Sequence, residues 1–279
     1  MKARPGPSTR IRIRELSGST ARDRRDDLAT EEPLEIRLTA ADGTRRTVAI
    51  TMRTPGHDFE LAAGFLRGEG LVGAGDIAAI AYCTDVDLPP EARYNTVTVR
   101  LHGPVPDLPA LDRHFLTSSA CGVCGSAGLE ALRDRCKPVP RGLLELSPEL
   151  LYTLPDALRA AQGVFGKTGG LHAAGLFTAA GRLVALREDV GRHNAVDKLV
   201  GWAALSERLP LSEHVLMVSG RTSYEIMQKA LAAGLPVVCA VSAPSSLAVE
   251  LARDFGLTLV GFLRGERCNV YAGAERISA

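Results

Sequence analysis

The sequence predicts a layered α/β main domain preceded by a smaller α+β domain. Three observations carry this. In the second half, near-continuous apolar runs of strand length alternate with segments whose apolar residues recur at helical spacing, the pattern of a mostly parallel sheet covered by helices. In the first half, short segments alternate apolar and polar residues around a hairpin turn, as half-buried strands do. A Pro-rich stretch, His102-Gly103-Pro104-Val105-Pro106-Asp107-Leu108-Pro109, separates the two. The expected division is therefore a basic tail over residues 1–31, a small α+β domain over 32–106 and the main α/β domain over 107–279.

The first 25 residues carry Lys2, Arg4, Arg10, Arg12, Arg14, Arg22, Arg24 and Arg25, and read as a solvated, flexible tail. Leu34 to Leu38 alternates as a strand, Asp42-Gly43 turns the chain, and Thr47 to Met52 returns. Asp58 is placed to cap a helix bearing Leu61, Ala62, Phe65 and Leu66 on one face. Ile77–Tyr82 and Thr96–Leu101 complete the small domain as strands. In the main domain the strands fall at Leu183–Leu186, Val215–Val218, Val237–Val241 and Leu257–Phe262. Helices follow from about Asn194, from a capping box at Thr222-Ser223-Tyr224-Glu225, and from Ser246.

The whole chain has 279 residues, 46% hydrophobic and 23% charged, with a net charge of +1. That balance gives no global signal for nucleic acid. No apolar run approaches the ~20 residues that span a bilayer, and no apolar stretch follows the basic N-terminus as a secretory signal would. Of the six cysteines only one pair is close in sequence, which suits a reducing compartment.

That pair is the sharpest feature: Thr117-Ser118-Ser119-Ala120-Cys121-Gly122-Val123-Cys124-Gly125-Ser126. Small residues around both cysteines predict an exposed loop that a partner's sulfur can reach. A helix beginning nearby would favour a thiolate or persulfide anion, the reactive form in sulfur exchange. Three readings stay open from the spacing alone: sulfur or redox chemistry, half of a zinc site, or an inert loop. The stretch Lys167 to Gly175 is Gly-rich but lacks phosphate-loop spacing, and its His172 reads either as a packed histidine or as a ligand or base. A zinc deaminase reading lacks its His-x-Glu, because Ala173-Ala174 follows His172 and the motif order is reversed.

A positional pattern points to a ligand. Each main-domain strand runs into a polar turn: Arg187 to Asn194, Ser219-Gly220-Arg221-Thr222-Ser223, Ser242 to Ser246, and Leu263-Arg264-Gly265-Glu266-Arg267. Turns at the carboxyl ends of an open sheet form its ligand crevice, and arginines with helix N-termini suit phosphates. The alternative is that Arg192 or Arg264 pairs with Glu188, Asp189 or Glu266.

Taken together, Arg53-Thr54-Pro55-Gly56-His57-Asp58-Phe59-Glu60-Leu61-Ala62, the Cys121 loop, Gly169-Gly170-Leu171-His172, Asp189-Val190-Gly191-Arg192-His193-Asn194-Ala195-Val196-Asp197-Lys198, Val218-Ser219-Gly220-Arg221 and Gly261-Phe262-Leu263-Arg264-Gly265 resemble the FdhD family of formate dehydrogenase accessory sulfurtransferases. The resemblance runs in order from about residue 30 to 275. It implies a cytoplasmic protein with a cytidine-deaminase-like main domain and no resident metal. It implies that a cysteine desulfurase loads sulfur as a persulfide on Cys121, with Cys124 assisting, and that the sulfur goes to bis-molybdopterin guanine dinucleotide before that cofactor enters formate dehydrogenase. The implied cofactor-binding segment is Phe262, Leu263, Arg264, Gly265, Glu266 and Arg267, to which the turn pattern adds Arg221 and Arg192. A homodimer is expected, with neither nucleic acid nor membrane as partner. The alternative is a non-catalytic molybdenum-cofactor chaperone whose CxxC is a redox or zinc clip.

Overall fold

The computed structural model describes residues 5–83, 94–106, 132–133, 136–140 and 144–278. The CxxC loop with Cys121 and Cys124 lies outside the described residues. The elements described are twelve strands and six α-helices in three sheets.

Strands β1 (Ser8–Ser17) and β2 (Thr20–Ala29) pair antiparallel along their whole length. This corrects the expectation of a tail. Reading only the arginines missed the acids that face them across the ribbon: Asp27 accepts from Arg10 at 2.8 Å, and Glu15 from Arg22. Gly18, at φ 57°, makes the turn, closed by the Thr20 hydroxyl on the Ser17 carbonyl at 2.7 Å.

The small sheet has the order β4-β3-β6-β5, from β3 (Glu32–Thr39), β4 (Arg45–Arg53), β5 (Ile77–Tyr82) and β6 (Thr96–Leu101). Its alternate residues Leu34, Ile36, Leu38, Val97 and Val99 are fully buried. They pack under α1 (Asp58–Gly68) through Leu61 and Leu66. The N-cap of α1 is His57 rather than Asp58. The Asp58 carboxylate is instead drawn inward by Arg53, 3.1 Å away, and by the Tyr82 hydroxyl at 2.8 Å.

The large sheet has the order β12-β11-β10-β9-β7-β8. Its members are β7 (His172–Thr178), β8 (Leu183–Asp189), β9 (His214–Val218), β10 (Val237–Ala240), β11 (Thr258–Arg264) and β12 (Arg267–Ala272). Only β9, β10 and β11 are mutually parallel; β7 and β12 run the other way. The sheet is thus mixed, not mostly parallel, because β7 with β8 and β11 with β12 form hairpins that the sequence pattern did not reveal. One face buries α2 (Pro148–Ala161), whose Leu151, Leu154 and Leu158 meet Phe177, Val215, Met217 and Cys239. The opposite face carries α4 (Arg192–Leu205), α5 (Tyr224–Ala232) and α6 (Ser246–Asp254). Short α3 (Gly163–Thr168) links α2 to β7 and packs on β2. No helix of the described residues is long and apolar enough to cross a membrane.

The two sheets are joined through α1 and α4. A Cβ on Gly64 would fall 1.8 Å from the Asp197 carbonyl oxygen, and one on Gly201 the same distance from that of Glu60. The two backbones therefore touch where they cross, which only glycine permits.

Candidate functional site

Since β8 and β7, and β7 and β9, are antiparallel, β8 runs in the direction of β9, β10 and β11. Four strand carboxyl ends thus share one edge, as the turn pattern implied, although the turn after β11 leads into a strand and not a helix. A cleft of about 700 Å³ opens there on the α2 side. Arg159, Gln162 and Phe165 form one wall, His172 and Ser219 lie at the strand ends, and Leu263, Arg264 and Gly265 close the other side.

Arg264 is exposed, and its Nε donates to the Val241 carbonyl at 3.1 Å, which fixes the guanidinium at the cleft lip. Arg264 and Arg267 stand directly opposite each other across the two-residue turn Gly265-Glu266. Glu266 and Arg267 occupy the exposed tip of this hairpin and do not line the cleft. Phe262 is 40% exposed at φ 52°, a backbone conformation costly for a bulky residue, and also lies outside the lining. Arg221 is exposed and is not part of the lining either.

Arg192 sits on the helix-covered side of the sheet edge. The space beside Gly220 is bounded by the His172 ring and the Arg192 side chain, and the Arg192 Nε is buried without a hydrogen-bond partner. The ion pairs that the sequence allowed for Arg192 and Arg264 are taken by others. Glu188 accepts from the backbone amides of Val164 and Phe165, and Asp189 pairs with Lys198 at 2.6 Å. Burial holds the His172 imidazole below its ordinary value, and the neighbouring charges of Arg192 and His193 add to this. His193 turns away to Ser223 at 3.0 Å and Glu225 at 2.8 Å. Those two residues were expected as a capping box, but the Ser223 side chain makes no cap hydrogen bond to α5.

Much of the distinctive motif set holds structure together. Asp189 and Lys198 are 0% and 1% exposed. Asp189 accepts from the amides of Thr54 and Gly191 and from the Asn194 side chain, while Lys198 donates to the Thr54 carbonyl at 2.8 Å. The Arg53-Thr54-Pro55-Gly56 segment is thereby pinned to the start of α4. Sequence reasoning missed Arg159, Gln162 and Phe165 altogether. The signal available was Ser147-Pro148-Glu149, a helix start, whose Ser147 hydroxyl does accept from the Leu150 amide.

The comparisons with known proteins agree with one another. The model of the FdhD/NarQ family matches residues 29–278. The chain is 56% identical over 278 residues to the sulfur carrier protein FdhD of Streptomyces avermitilis, covering 96% of this chain and 94% of that protein. It is 43% identical to the sulfur carrier protein FdhD of Sulfurisphaera tokodaii, covering 96% and 98%. The crystal structure of a formate dehydrogenase accessory protein from Desulfotalea psychrophila superposes with a TM-score of 0.73 at 26% identity, over 97% of this chain and 99% of that one. On the family match and these identities, this chain belongs to the FdhD/NarQ family.

Proposed function

We propose that this chain is a cytoplasmic sulfur carrier: it accepts sulfur from a cysteine desulfurase as a persulfide on Cys121 and hands it to bis-molybdopterin guanine dinucleotide for formate dehydrogenase. The observation that carries this reading is the cleft at the shared edge of four strand ends, with Arg264 held at its lip. Its relatives named as sulfur carriers support the sulfur half of the reading. Like charges directly opposite on paired strands repel, so the Arg264 and Arg267 pair is best accommodated by an anion such as a diphosphate lying against both. We read the main domain, residues 107–279, as cytidine-deaminase-like, which the order of α2, sheet and three helices supports.

The substrate brings the metal, and this chain supplies the sulfur and the dock. The outer sulfur of a persulfide is at the oxidation level of elemental sulfur, so its delivery as sulfide needs two electrons. Cys124 provides them when its thiolate attacks the inner sulfur of Cys121: a disulfide forms, the outer S–S bond breaks, and sulfide leaves with the electron pair. The test is mass spectrometry after incubation with a cysteine desulfurase and cysteine. The expected result is one added sulfur on the Cys121 peptide, absent in Cys121→Ala, which also loses formate dehydrogenase activation while keeping its unfolding midpoint. Cys124→Ala should load sulfur but release it more slowly. A wild-type protein that gains no sulfur leaves the chaperone reading in its place.

A further inference from the structure

Resting on that reading, we infer that the α2–α3 wall of the cleft is a recognition surface for a flat 2-amino-4-oxo-pyrimidine ring, the edge that guanine and pterins share. The wall has three parts. The Arg159 guanidinium lies 3.9 Å over the Phe165 ring, and Arg159 itself is exposed, so its outer face is open to a second flat ring. Stacking of this kind binds any planar heterocycle. Selectivity comes from Gln162. Its side chain lines the cleft, is 7% exposed, and its amide nitrogen has no hydrogen-bond partner. A buried donor left unpaired is costly, and a ring carbonyl brought to it satisfies it. Asp156, one turn before Arg159 on the same side of α2, supplies the complement. A carboxylate accepts two parallel hydrogen bonds from the ring N–H and the 2-amino group, whereas adenine offers a lone pair at the equivalent ring nitrogen and repels it.

Charge orders the ligand along the cleft. The acidic end at Asp156 repels phosphates, and Arg264 at the other lip attracts them. The ring therefore lies on α2 and the phosphates lie on the β11–β12 hairpin.

The experiment titrates the full chain with GDP, 6-hydroxymethylpterin and ADP by calorimetry. Wild type should prefer GDP and the pterin over ADP. Binding of GDP alone or of the pterin alone assigns the wall to that ring, and either supports the inference. Gln162→Leu should weaken binding ~10-fold, the loss of about one charged or well-placed hydrogen bond. The same change should raise the unfolding midpoint of the free protein by a few degrees, because an orphan polar group has gone. Asp156→Asn should erase the preference for GDP over ADP. If both variants bind GDP as wild type does while Arg264→Ala does not, the ring lies elsewhere and this inference fails with the sulfur-carrier reading intact. A lower midpoint in Gln162→Leu with unchanged affinity makes Gln162 structural and also overturns it. A wild type that binds neither GDP nor the pterin overturns the inference and the cofactor half of the proposed function together.

Discussion

Glu60 shows how single residues of the recognisable motifs serve the scaffold. It accepts from the Arg187 Nε at 2.5 Å and from its terminal nitrogen at 2.8 Å, with the His57 ring 3.1 Å away. Burial raises the Glu60 carboxyl, but the bonds from Arg187 and His57 outweigh it and hold it at about 2 against an ordinary 4.5. A carboxylate depressed by folding adds stability above its unfolded value and loses it as pH falls through its folded value. Glu60 should therefore contribute on the order of 2–3 kcal/mol at neutral pH, lost between about pH 4.5 and pH 2. In Glu60→Gln the acid limb of a stability-versus-pH profile should flatten over that window; parallel profiles would contradict the assignment. At this scale the sequence was legible where chemistry and spacing coincide. Cys239, set in an apolar run, is fully buried, and burial pushes its thiol up, away from reactivity. It was illegible where a partner is distant in the chain: nothing near Asp189 announces that Thr54 and Lys198 will share its carboxylate.

Among the elements, the long periodic ones were legible and the irregular hairpins were not. The strands β3, β5, β6, β9 and β10 and the helices α4, α5 and α6 fall where apolar periodicity placed them, within a few residues. β1 and β2 escaped because their ribbon is built on exposed charge pairs and not on an apolar face. β7 escaped because glycines and alanines filled positions where a buried strand usually carries branched residues: Gly175 leaves room for Leu158, which a Cβ there would approach to 2.6 Å. The crossing of α1 and α4 is equally invisible in one sequence, since Gly64 and Gly201 lie 137 residues apart and neither sits at a turn. Gly201→Ala should force the helices apart and cost about 3 kcal/mol or more, well beyond the cost of overpacking a flexible side chain. Urea unfolding measures this, and a midpoint equal to wild type would show that the helices can separate freely.

For the molecule as a whole, the shared edge of strand ends was legible as a repeated position, strand then polar turn, and the cleft lies at that edge. Its α2 wall was not, because a helix lying across a sheet edge is set by packing of Leu151, Leu154 and Leu158 and not by any local signature of a site. The two sheets are locked by backbone contact at the α1–α4 crossing and by the buried Asp189–Lys198 pair, which reaches Thr54 on the other side. Calorimetry should accordingly give one heat-absorption peak with equal calorimetric and van't Hoff enthalpies; two separable peaks would mean that the halves melt independently.

The backbone-to-backbone crossing also decides how anything bulky can be received. With carbonyl oxygens of each helix seated where the other's side chains would be, the halves have no pivot, and a jaw-like closing of one on the other is sterically barred. The protein is a fixed berth: cargo is turned and released by whatever delivers or collects it, and the speed of a hand-over is set by the visiting partners rather than by a breathing motion of the host.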